Sequence, residues 1–215
     1  MLTIRCFVCN AFQENCYVVS DETGEAVIID CGAFFPEERK AIVDYIRNSH
    51  LNPSRLLATH GHFDHNYGNN TIYQEFGLKV EVNEADEQLI NTLPEQSLLF
   101  SGTRIDYQLP PVGNYLKASD IVTFGKHQLS LIPTPGHTPG SMFIYCASEG
   151  VAFSGDTLFR MSIGRTDFEL GSYEDIMESL KNIRSILPHE TKIYCGHGPQ
   201  TVLRDEISMN PYLRV

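Results

Sequence analysis

Three of the eight histidines fall within six residues, in His60-Gly-His-Phe-Asp-His65. Neutral imidazole and carboxylate suit zinc, and also iron or manganese, so His60, His62, Asp64 and His65 read as a metal-binding cluster. In an extended segment residues i and i+2 point the same way, which lets His60 and His62 converge on one ion. Gly61 permits a sharp turn between them. If the chain then curls into a helix, Asp64 and His65 face a second point close to the first. Surface histidines are common singly; three with an aspartate at the end of an apolar run are not.

A cluster this short does not complete two metal sites, and the chain holds further candidates in matching settings. His137 lies in Thr134-Pro-Gly-His-Thr-Pro-Gly140, Asp156 in Ser154-Gly-Asp-Thr157, and His197 in Tyr194-Cys-Gly-His-Gly198. Each follows a short apolar run and is flanked by glycine, and loops set on a rigid sheet are where sites are built. His50, His127 and His189 lack such a setting; His50 and His189 lie beside helix ends.

The elements that carry these loops are legible as short runs. Residues 15–20 and 26–31 read as strands, with Asp21-Glu-Thr-Gly24 as the hairpin turn between them. Pro36 suits a first helical position, with Ile42, Val43 and Ile46 as the apolar stripe. Leu56–Thr59 reads as a buried strand running into the histidine cluster. Residues 69–76 read as a helix ended by Gly77, and 79–82 as a strand. Segment 91–118 has no clean period and is expected to be a loop insertion near the active site. Strands follow at 128–132, 142–147 and 151–154. Ser172 with Asp175 starts a helix striped by Ile176, Leu180, Ile183 and Ile186 and closed by Pro188. Residues 192–195 read as a last strand and 201–208 as a short helix. Many strands and few, separated helices imply an α/β (α+β layered) sandwich, with residues 1–215 as one domain.

The bulk properties narrow the function. The net charge of -11, with 16 Lys and Arg, disfavours a nucleic-acid partner. No run approaches a membrane span, and the first residues lack a signal-peptide pattern, so the expectation is a cytoplasmic protein, monomer or homodimer, with a small-molecule substrate. Cys6 and Cys9 form a CxxC. On a strand, positions i and i+3 face opposite sides, and no second CxxC completes a zinc ribbon. Reduced, mostly buried cysteines in a reducing compartment are the better reading.

The order Asp30, His60-x-His62-x-Asp64-His65, His137, Asp156, His197 resembles the five motifs of the metallo-β-lactamase superfamily, over essentially the whole chain. The resemblance implies an αββα sandwich: two mixed β-sheets with helices on the outer faces and metals at one edge. It implies that His60, His62 and His137 hold one metal, that Asp64, His65 and His197 hold a second, and that Asp156 bridges both. The cofactors would be two divalent ions, zinc ahead of iron or manganese. Asp30 would orient a ligand from behind. Asp at position 156 disfavours β-lactam hydrolysis. The run Gly155-Asp-Thr-Leu-Phe-Arg160 with Ser162-Ile-Gly-Arg-Thr-Asp167 looks like the short glyoxalase II-like hydrolases. Those lack the C-terminal helical domain that supplies basic residues for glutathione, and this chain, ending at Val215, is expected to lack it too.

The activity implied is hydroxyacylglutathione hydrolase-like: a hydroxide shared by two metals attacks a thioester such as S-lactoylglutathione, with Asp64 helping to orient it. The alternatives are a mononuclear-iron persulfide dioxygenase-like oxidoreductase, using one metal set only, and an esterase or lactonase. For substrate contacts the candidates are Arg160 and Arg165, which match a carboxylate, and Tyr107 and Tyr115, as pocket walls.

Overall fold

The computed structural model describes residues 1–214. In chain order its elements begin with β1 (Thr3–Cys9), β2 (Glu14–Ser20), β3 (Glu25–Ile29), α1 (Pro36–Asn48), β4 (Asn52–Leu57), α2 (Asn69–Phe76) and β5 (Val80–Asn83). There follow α3 (Glu87–Asn91), α4 (Leu93–Ser101), β6 (Asn114–Leu116), β7 (Ile121–Phe124), β8 (His127–Pro133), β9 (Met142–Cys146) and β10 (Val151–Gly155). The rest are β11 (Leu158–Phe159), β12 (Ser162–Ile163), α5 (Tyr173–Ile186), β13 (Lys192–Cys195), β14 (Thr201–Val202) and α6 (Leu203–Met209).

Two six-stranded mixed sheets result. One runs β1-β2-β3-β4-β5-β6, antiparallel up to β3 and parallel beyond. The other runs β14-β13-β10-β9-β8-β7, with β10 and β13 as its parallel pair. Strand side chains alternate between faces, so each central strand serves two cores. Val19, Ile29 and Leu57 pack against Leu131, Ile144 and Phe153 between the sheets. Their neighbours Val18, Ile28 and Leu56 pack outward against Ile42 and Ile46 of α1 and Ile72 of α2. On the other outer face Phe143, Ala152 and Ile193 meet Leu180 and Ile183 of α5 and Leu203 of α6. Burial on both faces explains why these strands read as unbroken apolar runs. The layering is αββα, as expected.

The local signals hold in detail. Gly77 closes α2 at φ +72°, its N–H donating to the Tyr73 carbonyl. Ser172 caps α5, its side chain accepting from the Asp175 N–H. Leu187, which precedes Pro188, is extended because the proline ring disfavours helix there. Four expectations need correction. Segment 91–118 is not one loop: it contains the end of α3, all of α4, capped by Gly102 at φ +67°, and β6. Ile186 is half exposed rather than part of the α5 stripe. Thr201–Val202 is strand, and the last helix begins at Leu203. His127, which had no evident setting, is buried between Asp21 and Glu149, with ring nitrogens 3.1 and 2.9 Å from their carboxylates.

All six cysteines are free thiols, five of them buried and Cys6 exposed. Among the described residues no helix is long and apolar enough to cross a membrane.

Candidate metal centre

Every metal-ligand candidate from the sequence arrives at one place, where strand ends of the two sheets meet. β4 ends at Leu57 and leads through Thr59 to His60 and His62; a single 3-10 turn, Phe63–His65, then swings Asp64 and His65 round. The second sheet delivers His137 after β8, Asp156 after β10 and His197 after β13. The candidate ligand atoms fall into three overlapping triplets, His60-His62-His137, His60-His65-Asp156 and Asp64-His65-His197, each within 4.8 Å.

The far sides of the rings are already committed. A carbonyl oxygen can only accept, so His137 Nδ1 donates to the Arg165 carbonyl at 2.7 Å and His197 Nδ1 donates to the Phe12 carbonyl at 3.0 Å. His65 Nδ1 faces Asp30 Oδ2 at 3.1 Å. That leaves the Nε2 atoms of all three pointing inward. His65 Nε2 and His197 Nε2 lie 3.2 Å apart, and His62 Nδ1 and His137 Nε2 2.8 Å apart. The carboxylates add negative charge among them: Asp156 is 3.3 Å from His65 and 3.5 Å from His137 and His197, and Asp64 is 3.4 Å from His197. His60 Nε2 and Asp156 Oδ1 are buried with no hydrogen-bond partner. Buried lone pairs facing one another are costly unless a cation lies among them, so the residues present fit a metal centre.

The protonation tendencies show where the site calls for positive charge. Burial, reinforced by neighbouring imidazoles, holds His60 well below its ordinary pKa and His62 down at about 3. Burial opposes charge on His65 and His197 as well, but Asp156 and Asp64 outweigh it and raise both. Burial likewise works against Asp156 and Asp64, and the adjoining histidines, His65 foremost, bring both below the usual carboxylate range. The carboxylates are therefore drawing on any positive charge within reach.

Asp30 sits beside the His65 ring. Its Oδ1 accepts from the Thr59 N–H at 2.7 Å, and its Oδ2 accepts from the Thr59 hydroxyl at 2.7 Å beside the His65 ring. It holds φ +50°, which aspartate tolerates better than most residues.

Three of the four substrate-contact candidates lie elsewhere. Tyr107 packs against a satellite cluster with Phe63 and Tyr67, and its hydroxyl donates to the Tyr67 carbonyl at 2.6 Å. Tyr115, on β6, hydrogen-bonds Glu87. Arg160 is exposed and borders a different groove, with Met161 and Gln200. Only Arg165 reaches the cavity over the ligands.

Residues that the sequence reading passed over hold the loops. Asp86 is fully buried and accepts from the Gly61 N–H, the Gly140 N–H and the Thr138 hydroxyl, each at 2.7 Å, bolting the His60–His62 loop to the His137 loop. Asn10 donates to the carbonyls of Gly32 and Asp64, and Asn15 to those of Cys195 and Gly198. Glu14 is fully buried, accepts from the Gly32 N–H, and is pushed well above the ordinary carboxylate pKa by that burial. A charged residue opening an otherwise apolar strand was the one signal for Glu14. Asp86 gave none, standing in a polar stretch.

Residues 9–197 match the metallo-beta-lactamase superfamily. The chain is 35% identical over 213 residues to the hydroxyacylglutathione hydrolase GloC of Haemophilus influenzae, covering 99% of this chain and 98% of that one. Among solved structures, BLEG-1 B3 metallo-beta-lactamase superposes with a TM-score of 0.90 at 31% identity, covering 99% of this chain and 100% of that one. TTHA1623 in a di-iron-bound form gives 0.86 at 31% identity, with 97% and 100% covered.

Proposed function

The chain belongs to the metallo-beta-lactamase superfamily, and we propose that within it this protein is a two-metal thioester hydrolase acting on S-lactoylglutathione or a related small (thio)ester. The observation that carries the proposal is the complete second set, Asp64, His65 and His197, beside His60, His62 and His137 with Asp156 between them. The resemblance to GloC, a hydroxyacylglutathione hydrolase by name, supports the thioester class.

A pair of divalent ions at such a site supplies Lewis acidity toward a carbonyl and lowers the pKa of a shared water. His60, His62 and His137 would hold one ion and Asp64, His65 and His197 the other, with Asp156 reaching both. Zinc suits the nitrogen and oxygen donors, as do iron and manganese. Asp64 stays ionised and lines the cavity, placed to accept a hydrogen bond from the attacking water and fix its orientation. The water oxygen forms the new bond to the acyl carbon as its proton passes to solvent, the carbon–sulfur bond breaks, and the sulfur leaves with the bonding pair. A thiolate is a good enough leaving group that the chain need supply no separate general acid.

Metal analysis of protein purified without added metal is expected to give two equivalents per chain. Asp156→Asn should lose at least about a hundredfold in metal affinity and in thioester hydrolysis, since changing an outer partner alone costs about 10–100-fold. One iron per chain, with oxygen consumed on a persulfide and no thioester turnover, would establish the dioxygenase reading instead.

A further inference from the structure

The floor of the cavity, about 370 Å³, is polar and its walls are not. Phe12, Phe63, Phe100, Phe159 and Phe168 stand round the ligands, with Ile163. Phe168 lies edge-on to His62, ring centroids 5.4 Å apart, and 6.0 Å from His137. Phe100 meets Phe168 edge-on at 5.4 Å and lies parallel to Phe63 at 5.9 Å. Phe12 closes on Phe63 at 5.3 Å, and Phe159 approaches His197 at 6.0 Å. Aromatic walls thus flank both candidate metal positions. Phe100 is 48% exposed and Phe12 39%, so apolar ring surface faces the cavity mouth uncovered.

The only Lys or Arg side chain lining this cavity among the described residues is Arg165, and it is already engaged. Its Nε and Nη2 donate to the two carboxylate oxygens of Asp167 at 2.9 and 2.8 Å, and its guanidinium lies 4.5 Å over the Phe168 ring. A glutathione thioester carries two carboxylates. Against these walls the one cation they meet is already paired with Asp167, and desolvating a carboxylate without a partner is unfavourable. A flat apolar group, in contrast, meets ring edges and faces on several sides.

Resting on the thioester hydrolase reading, we infer that the preferred substrate carries a bulky apolar acyl group, an aryl group above all, and that its leaving thiol is not recognised through carboxylates. Bond changes are those of ordinary thioester hydrolysis, with water as the only co-reactant.

Four thioesters separate the terms: lactoyl and mandeloyl groups, each on glutathione and on uncharged N-acetylcysteamine, assayed with the metal-loaded protein. The mandeloyl esters should exceed the lactoyl esters in kcat/KM by about tenfold or more with either thiol, the range that added apolar contact gives in a hydrophobic pocket. Exchanging the thiol should change kcat/KM by less than about threefold, because the only cation lining the cavity among the described residues, Arg165, is already paired with Asp167. Phe100→Ala should narrow the mandeloyl preference. Calorimetric titration with the product acids gives a readout without turnover, and mandelate should bind more tightly than lactate. A preference for S-lactoylglutathione over the other three, with lactate binding as well as mandelate, overturns the inference. A protein that hydrolyses none of the four yet binds mandelate over lactate overturns the hydrolase reading and leaves the apolar subsite standing.

Discussion

His65, His137 and His197 each have one ring nitrogen tied to the protein, by Asp30, the Arg165 carbonyl and the Phe12 carbonyl. Two of these ties are backbone oxygens that no side-chain substitution removes. Asp30 is the one open to mutation. Asp30→Asn keeps the shape and tolerates the same positive φ, but it can present an amide donor where His65 Nδ1 now finds an acceptor. The imidazole would then carry its hydrogen on Nε2, facing the cavity. Metal affinity measured by chelator competition should fall about 10–100-fold with the fold retained. An unchanged affinity would show that Asp30 does not set the His65 tautomer. The ligand candidates were legible because histidine and aspartate are rare beside glycine at the ends of apolar runs. The hydrogen bonds that orient them were not, since the Phe12 and Arg165 carbonyls belong to backbone, on which the side-chain types are silent.

At the scale of elements, Asp86 follows β5 at the end of the 3-10 turn Glu84–Asp86 and joins two ligand loops from different sheets. The fit is close: a Cβ on Gly140 would lie 2.6 Å from Asp86 Cγ, and one on Gly61 2.7 Å from Leu89 Cβ. Asp86→Ala strands three buried donors, each worth about 1–3 kcal/mol when left unpaired. Denaturant unfolding should show a loss of at least about 3 kcal/mol; a loss below about 1 kcal/mol would mean that water or a neighbour takes over the role. Strands β2 to β5, β8 to β10 and β13, with α1, α2 and α5, were visible because apolar runs, stripes and caps coincided; the short β6, β7, β11, β12 and β14 offer too few residues for a pattern. α4 was hidden because its buried residues are Leu93, Gln96 and Ser97, while Leu98 and Leu99 are exposed and Phe100 is half exposed. A helix whose apolar residues face outward has no stripe to read. The same inversion concealed Phe100 as a cavity wall and turned attention to Tyr107 and Tyr115, which are engaged elsewhere.

For the whole molecule, the centre is a joint between the halves of the sandwich. Four candidate ligands come from the loop after β4 and three from loops of the second sheet. Such a set exists only in the folded chain, so metal binding and folding are linked. Free metal at about a thousandfold over its dissociation constant adds about 4 kcal/mol to stability. A chelator in excess should therefore lower the thermal midpoint by several degrees, reversibly on adding zinc, iron or manganese. A midpoint indifferent to chelator would mean that the halves hold without the ions. A layered sandwich was legible from the strand count, and its αββα form from the resemblance that the motif order carries. The pairing of the N-terminal turn with the last ligand loop was not, because contacts between residues so distant along the chain leave no local pattern.

That pairing bears on how the protein is made. His65 and His197 meet across 132 residues, and the carbonyl that orients His197 belongs to Phe12, 185 residues earlier. During synthesis from the N-terminus, the His60–His65 cluster leaves the ribosome long before the residues that complete it. A nascent chain can thus offer three histidines and an aspartate to a passing ion while lacking His137, Asp156 and His197. The full donor set therefore comes together only once the last ligand loop has been made and has met the N-terminal turn.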